Sequence, residues 1–285
     1  MSTASTGMPT CYRHPDRETG LSCSECGRPI CTECMTPAPV GLRCPEHSGV
    51  RKTVKPPRVV RRAPHGATEA LVTKTLIGLN VLIYLITAVQ GHSINAPGGR
   101  LFNDWALYGP LVGQGDWWRL ITAAFLHASV IHIGFNMYVL WVIGAPVENY
   151  LGRLRFVALY FVAGLAGSAG ALVLTPTAVT VGASGAIFGI LGALLIIEWQ
   201  TTGRLAGNAM TWIVINLVLS VVIPGVSIGG HIGGLIGGIL ATLAFANWGR
   251  GHAAYGKVGV TGFAGLVIVA AASIAVAYFK VRGYA

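Results

Sequence analysis

Four polar residues with side chains suited to acyl transfer lie inside long apolar stretches of this sequence. Ser184 carries a hydroxyl that a neighbouring base could activate, and His231 carries an imidazole, the side chain that most often acts as that base. His132 and Asn136 can both donate hydrogen bonds, and their i, i+4 spacing places them on one face of a helix. These residue types favour a serine hydrolase that stabilises a developing oxyanion.

The same residues also have a structural interpretation. Ser184 lies between Gly182 and Gly185 in the segment VGASGAIFG, and small residues in membrane helices commonly allow close helix packing. Glycines recur at four-residue spacing in residues 229–238, where they predict the same kind of contact. The two interpretations are compatible, because a hydrogen bond between Ser184 and His231 requires the spans that carry them to approach closely.

The composition indicates a membrane protein, because only 11% of the 285 residues are charged and 53% are hydrophobic. A soluble domain carries about 25% charged residues. Apolar stretches near the ~20 residues that a bilayer requires predict seven spans. We place them at residues 75–91, 129–147, 155–175, 183–199, 208–224, 229–247 and 260–279. The N-terminus shows no apolar signal-peptide core, so we expect the first stretch to remain as a span.

The distribution of Lys and Arg predicts the orientation of these spans. A basic, Pro-containing linker over residues 51–70 precedes the first span, and we expect it to lie in the cytoplasm beside anionic lipid. The predicted inner loops then hold Arg153, Arg155, Arg204, Arg250 and Lys257, and the outer loops hold Arg100 and Arg119. Spans two, four and six therefore run inward, and the four polar residues lie at similar depth near the outer surface.

The spacing does not settle whether a carboxylate completes the site. Glu148 and Glu198 fall at the predicted inner ends of their spans, far from Ser184. Asp104 and Asp116 lie in the interval 92–128, which we expect to fold as an interfacial outer loop, and spacing leaves both open as candidates. The economical prediction is a Ser–His dyad that uses neither a carboxylate nor a cofactor.

Residues 1–50 form a separate, polar segment with the ligand pattern of a zinc-binding domain. All six cysteines of the chain lie here, and with two histidines they form four pairs with two-residue gaps. The pairs are Cys11/His14, Cys23/Cys26, Cys31/Cys34 and Cys44/His47. Eight ligands fill two tetrahedral Zn²⁺ sites and leave no open position, which predicts two structural ions. A disulfide framework would leave the paired histidines unexplained.

The order of these pairs resembles a B-box-type zinc finger. That resemblance implies a cross-braced arrangement, in which the first and third pairs hold one ion and the second and fourth pairs hold the other. Spacing alone also allows sequential pairing. A protein partner is the role we expect for such a finger.

Residues 71–285 resemble the rhomboid family of intramembrane serine proteases. The resemblance rests on four segments in the family's order, namely WR at 118–119, HASVIHIGFN at 127–136, GASG at 182–185 and HIGG at 231–234. It implies an all-α membrane protein with a six-helix core and a C-terminal seventh transmembrane helix, here preceded by the small zinc-binding domain.

The resemblance also implies roles for individual residues. Ser184 would be the nucleophile and His231 the general base, with His132 and Asn136 as side chains of the oxyanion hole. The supporting residues are His127, Phe188, Gly182 and Gly185. Many relatives have Tyr where this chain has Phe188, so the ring can still stack on the histidine although the hydroxyl is absent. Trp118, Arg119 and Glu148 match structural positions of the family.

The resemblance implies hydrolysis of a peptide bond in or near a transmembrane segment of a membrane protein substrate. We expect a multi-pass protein of a bacterial plasma membrane, with its N-terminal domain in the cytoplasm and its active site opening toward the outer face. We expect no nucleic-acid partner. The alternative is a catalytically inactive rhomboid-like protein that binds membrane clients. A transporter would predict charged midplane sites or internal repeats, and the sequence shows neither.

Overall fold

The computed structural model describes residues 7–38, 40–48, 70–248, 251–253 and 258–284. The chain divides into two compact units between residues 64 and 65. The basic linker predicted over residues 51–70 lies outside the described residues, apart from Ala70. Arg250 and Lys257 of the predicted inner loops also lie outside them.

The N-terminal unit consists of two small antiparallel sheets and connecting turns. The strands are β1 (Thr10–Cys11), β2 (His14–Glu18), β3 (Thr36–Pro37) and β4 (Leu42–Arg43), with β1 paired to β2 and β3 to β4. Its buried core consists of five cysteines and Ile30. A core this small cannot bury enough apolar surface to stabilise a fold of this length unaided. Domains of this size usually need stabilisation beyond their apolar core, from disulfides, metals or oligomerisation.

The C-terminal unit is helical throughout, apart from its loops. Its helices are α1 (Leu71–Gln90), α2 (Gly99–Trp105), α3 (Gly109–Gly113), α4 (Arg119–Thr122), α5 (Val130–Val139), α6 (Ala145–Leu151), α7 (Arg153–Leu174), α8 (Ser184–Thr202), α9 (Asn208–Val222), α10 (Ile228–Phe245) and α11 (Val260–Val281). A π-helical segment, Leu140–Gly144, joins α5 to α6 in one continuous span.

The predicted fold class of an all-α membrane unit is confirmed. Within the part of the chain that the structure describes, six helices are long and apolar enough to cross a membrane. The fifth predicted span, residues 208–224, corresponds to α9, an apolar helix of 15 residues that is shorter than the ~20 a bilayer requires. Each predicted span thus coincides with a helix.

The predicted interfacial loop folds around a buried arginine. Arg119 is 4% exposed, and its guanidinium donates to the Asp116 carboxylate at 2.9 Å and to the carbonyl oxygens of Asn103 and Ala106 at 2.6 and 2.9 Å. Trp118 donates its indole N–H to the Asp104 carbonyl at 3.0 Å. These bonds satisfy carbonyl groups at the C-terminal end of the short helix α2, which have no partner within the helix.

The last helix, α11, packs against α7, α10 and the interfacial loop. Ala277 and Val281 are fully buried in a cluster that includes Leu107 and Val112 of that loop. The Trp117 ring stacks on Tyr278 at a centroid distance of 6.3 Å. The C-terminal end of α11 therefore lies at the same end of the bundle as residues 92–128, which agrees with seven alternating spans.

Helices α8 and α10 touch backbone to backbone, as the spacing of the glycines predicted. A Cβ atom on Gly234 would overlap the carbonyl oxygen of Gly185, and a Cβ atom on Gly238 would overlap that of Gly189. One turn before Gly234, α10 also meets α7, where a Cβ atom on Gly229 would overlap the carbonyl oxygen of Gly170. These contacts are possible only because glycine has no side chain.

We predict that Gly234→Ala destabilises the protein, because the added methyl group must push α10 away from the Gly185 carbonyl. Overpacking of this kind typically costs about 1–3 kcal/mol. Thermal unfolding in detergent would measure the change. Gly78→Ala is the matched control, since no atom beyond the local backbone of α1 lies within 4 Å of the position that its Cβ would take. Equal melting temperatures for the two variants would show that the contact between α8 and α10 is not tight.

Candidate active site

The structure brings Ser184 and His231 into direct contact. The Oγ of Ser184 lies 2.8 Å from the Nε2 of His231, which is a normal hydrogen-bond distance. Ser184 is the first residue of α8 and His231 the fourth of α10, so the glycine contacts between these helices set the distance. A hydroxyl bonded to an imidazole nitrogen is the arrangement of an activated nucleophile and its base.

The backbone before Ser184 is held by the interfacial loop. The N–H of Gly182 donates to the Ala123 carbonyl at 2.9 Å, and Leu107 and Thr180 exchange two backbone hydrogen bonds. Gly182 has a φ of 130°, which L side chains rarely adopt, and its Cβ would lie 2.8 Å from His132 Nε2. The first intrahelical hydrogen bond of α8 is donated by the Ile187 N–H to the Ala183 carbonyl. The N–H groups of the preceding residues at the start of α8 therefore have no acceptor within the helix.

Two side chains fix the orientation of the His231 ring. Phe188 stacks on it with a centroid distance of 4.2 Å and an interplanar angle of 18°. On the opposite nitrogen, Nδ1 lies 2.5 Å from the Oγ of Ser220. Ser220 lies in α9 and is 3% exposed. The ring therefore has a defined plane and a partner on each nitrogen.

His132 and Asn136 line the same cavity as Ser184. Ser129 caps the N-terminus of α5 by accepting from the His132 N–H at 3.2 Å, which places the histidine in the first turn. The N–H of Ala128 donates to His132 Nδ1 at 3.4 Å. Because Nδ1 accepts, the proton of the neutral ring is on Nε2, where it can donate to an oxyanion. The Asn136 amide donates to the His132 carbonyl at 3.0 Å.

His127 is completely buried beside His132, with the two rings edge to face at a centroid distance of 5.0 Å. Burial, and to a lesser extent the neighbouring His132, lowers the pKa of His127 to about 3. The His127 imidazole is therefore neutral at pH 7, and it supports His132 by packing.

The carboxylates of the membrane unit have other partners. Asp116 pairs with Arg119 at 2.9 Å and Asp104 with Arg100 at 3.5 Å. Glu148 accepts from the backbone N–H groups of Val72 and Thr73 at 2.9 and 2.7 Å, which caps α1 at the other end of the bundle. Glu198 accepts from Ala209 N at the start of α9. None of these four carboxylates accepts a hydrogen bond from His231.

A cavity of about 630 Å³ contains the site. Its polar lining includes His132, Asn136, Ser184, Ser220 and His231, and the rest of its wall is mostly apolar. Residues 223–227, which connect α9 to α10, form part of this wall.

Ser220 is the residue of this site that the sequence analysis missed. The signal was present, because Asn216 and Ser220 are polar, intramembrane and four residues apart, like His132 and Asn136. Polar residues inside membrane spans commonly face functional cavities.

The cysteines and histidines of the N-terminal unit form two groups of four. One group is Cys11, His14, Cys31 and Cys34, and the other is Cys23, Cys26, Cys44 and His47. In each group the four ligand atoms lie within 4.8 Å of one another, and all six cysteines are free thiols. This is the cross-braced grouping. A donor set of three sulfurs and one imidazole nitrogen, mostly buried, fits a closed tetrahedral metal site.

The fold and the site define a class of protein: a helical membrane protein with a hydrogen-bonded Ser–His pair in a cavity of its helical bundle. The Rhomboid domain family matches residues 114–248. The chain is 34% identical over 170 residues to "Rhomboid protease GluP" of Bacillus subtilis, an alignment that covers 57% of this chain and 33% of GluP.

Two further relatives extend the comparison. The chain is 33% identical over 145 residues to "Putative rhomboid protease YdcA" of Bacillus subtilis, which covers 50% of this chain and 70% of that protein. "RHOMBOID-like protein 7" of Arabidopsis thaliana is 40% identical over 97 residues, covering 33% of this chain and 31% of the relative. The chain belongs to the rhomboid family. It spans about a third of the length of GluP and of the Arabidopsis protein.

Proposed function

We propose that this protein is an intramembrane serine endopeptidase that hydrolyses peptide bonds in or near transmembrane segments of membrane proteins. The observation that carries the proposal is the 2.8 Å contact between Ser184 Oγ and His231 Nε2, inside a cavity enclosed by membrane-spanning helices. Relatives named as rhomboid proteases support the same activity.

In the first step, Ser184 Oγ attacks the scissile carbonyl carbon and its proton moves to His231 Nε2. The carbonyl oxygen becomes an oxyanion, which can accept from His132 Nε2–H, from the Asn136 amide and from the N–H groups at the start of α8. Donors that are already in place need no reorganisation when the charge develops. The tautomer of His132 described above suits this role.

In the second step, the protonated His231 donates its proton to the departing amine, and the C–N bond breaks to leave an acyl-enzyme. Water then attacks the ester carbonyl carbon, with His231 accepting one of the water protons and returning it to Ser184 Oγ. The products are a free carboxylate and a free amine. The four membrane-unit carboxylates described above contact other groups, so the proposal uses a dyad.

Substrate enters this cavity as an extended segment, because a helix protects its own amides by intrahelical hydrogen bonds. Gly or Pro near the cleavage site makes local unwinding easier. The cavity lies at the end of the bundle formed by residues 92–128 and the start of α8. Under the orientation that the Lys and Arg distribution predicts, that end faces outward and the N-terminal unit is cytoplasmic. A bacterial plasma membrane suits this arrangement.

For the N-terminal unit we propose two structural Zn²⁺ ions, each held by one of the groups of four ligands. Zinc bound to thiolate and imidazole supplies folding free energy and no catalytic position in a four-ligand site. Two ions would crosslink β1, β2 and the turns between residues 23 and 47 into one core. The surface of the metal-bound N-terminal unit would serve as a docking site for a protein partner.

We predict that Ser184→Ala abolishes cleavage of a model transmembrane substrate in proteoliposomes, a loss of about a thousandfold or more in kcat. Wild-type protein should also react with a fluorophosphonate, with Ser184 Oγ displacing fluoride from phosphorus, and Ser184→Ala should not. The control is Ser93→Ala, an outer-loop serine that does not line the cavity. Undiminished cleavage by Ser184→Ala would refute the assignment. A folded wild type that neither cleaves nor reacts would favour the client-binding alternative.

We predict that the full-length protein contains about two zinc ions per chain and that Cys31→Ser lowers this to about one, because a tetrahedral structural site requires all four ligands. Elemental analysis of purified protein would measure the ratio. Thr32→Ser is the matched control, since Thr32 is exposed beside Cys31 and belongs to neither group. A wild-type ratio of one or less would exclude two sites.

A further inference from the structure

Ser220 makes two short contacts with its single hydroxyl. Its Oγ lies 2.5 Å from His231 Nδ1 and 2.6 Å from the backbone carbonyl oxygen of Asn216, four residues earlier in α9. Ser220 is 3% exposed, so no bulk water competes for these contacts. Each separation is short enough to require a proton between the two atoms.

The single proton of the Ser220 hydroxyl determines which group donates in each of the two hydrogen bonds, to Asn216 and to His231. A serine hydroxyl has one proton, and a carbonyl oxygen has none to donate. The proton between Ser220 and Asn216 must therefore come from the hydroxyl. The proton between Ser220 and His231 must then come from the imidazole, so Nδ1 carries N–H and donates to Ser220 Oγ.

We propose that Ser220 is a positioning residue that fixes His231 in the tautomer with its proton on Nδ1. This inference rests on the proposed function, in which His231 acts as a base. In a neutral imidazole a proton on Nδ1 leaves the lone pair on Nε2, and Nε2 is the nitrogen that lies 2.8 Å from Ser184 Oγ. The opposite tautomer would present an N–H to Ser184 and could not accept its proton.

Ser220 acts through His231 and contacts no reacting atom. When Ser184 Oγ attacks, its proton moves to Nε2, and Nδ1 keeps its proton and its hydrogen bond to Ser220. The Ser220 oxygen is then an acceptor for a cationic ring, held by its own bond to the Asn216 carbonyl. A serine thus occupies the place that a carboxylate takes in a Ser-His-Asp triad, without adding a buried charge.

Among the described residues, Ser220 is the hydrogen-bond partner of His231 Nδ1. The neighbouring Asn216 also lines the cavity, but its amide donates to the Trp212 carbonyl at 2.8 Å. Phe188 covers one face of the ring and offers no acceptor. Ser220 also lies on α9, a different helix from Ser184 and His231, so three helices meet at the imidazole.

The first test measures the tautomer directly, by nitrogen NMR of the full-length wild-type protein labelled with ¹⁵N-histidine in detergent. The signals of His231 are identified by their loss in His231→Gln. We expect a neutral ring with its proton on Nδ1. A proton on Nε2 would overturn the proposal. This result does not depend on catalysis, so it stands even if the protein cleaves no substrate.

The second test separates kcat from KM in proteoliposomes. Ser220→Ala should lower kcat by about tenfold or more with KM changed less than about twofold, since the base loses its fixed tautomer while the substrate contacts remain. Ser220→Thr keeps the hydroxyl and should recover most of the lost kcat. The control is Ser273→Ala, a buried serine of α11 that makes the same i→i−4 bond, to the Val269 carbonyl at 2.8 Å.

The outcomes of the kinetic test separate this inference from the proposed function. A wild-type kcat in Ser220→Ala, with an active wild type, would reject the positioning role and leave the protease assignment intact. An inactive wild type would reject the protease assignment, and the NMR measurement would still decide the tautomer. Equal loss of melting temperature and kcat in Ser220→Ala and Ser273→Ala would identify a purely structural effect and also reject the proposal.

Discussion

The candidate site depends on the close approach of α8 and α10. Two carbonyl oxygens of α8, those of Gly185 and Gly189, lie where side chains of Gly234 and Gly238 would otherwise be. In lipid there is no hydrophobic force to press two helices together, so such contact has to come from packing of small residues. The result is that the first turns of both helices meet, and Ser184 and His231 share a hydrogen bond.

The interfacial loop is a second constraint, because it holds the chain that leads into α8. Arg119 is buried and bonds three groups of that loop, and Ala123 in the next turn accepts from Gly182. Burying a guanidinium costs free energy unless it is hydrogen-bonded, so burial of Arg119 depends on these bonds being formed together. The position of Ser184 therefore depends on residues more than sixty positions earlier in the chain. The last helix, α11, packs against Leu107 and Val112 of the same loop through Ala277 and Val281.

The sequence predicted the spans well because apolar length and small-residue spacing are local properties. It also pointed to Ser184 and His231, since each is an isolated reactive group within apolar surroundings. The contact between Ser220 and His231 could not be predicted in the same way. A serine in a membrane helix commonly bonds the carbonyl four residues earlier, as Ser273 does, and spacing alone does not distinguish that bond from one that also reaches a neighbouring helix. For the loop of residues 92–128, the sequence predicted only that it folds. The hydrogen bonds inside this loop join residues that follow no periodic pattern, so their partners could not be predicted.

The two histidines of the site show how neutral groups can assign opposite protonation patterns within a membrane. In the proposed mechanism, the Ala128 N–H directs the proton of His132 to Nε2, where it can donate to an oxyanion, and the Ser220 oxygen directs that of His231 to Nδ1, which leaves Nε2 free to accept. A carboxylate would fix His231 more strongly, but an ionised group inside a bilayer carries a desolvation penalty of several kcal/mol unless it is fully paired. A hydroxyl that donates to a helix carbonyl is already satisfied and adds no charge. In a site within membrane-spanning helices, a serine acceptor would thus orient the proposed base without the cost of a buried charge.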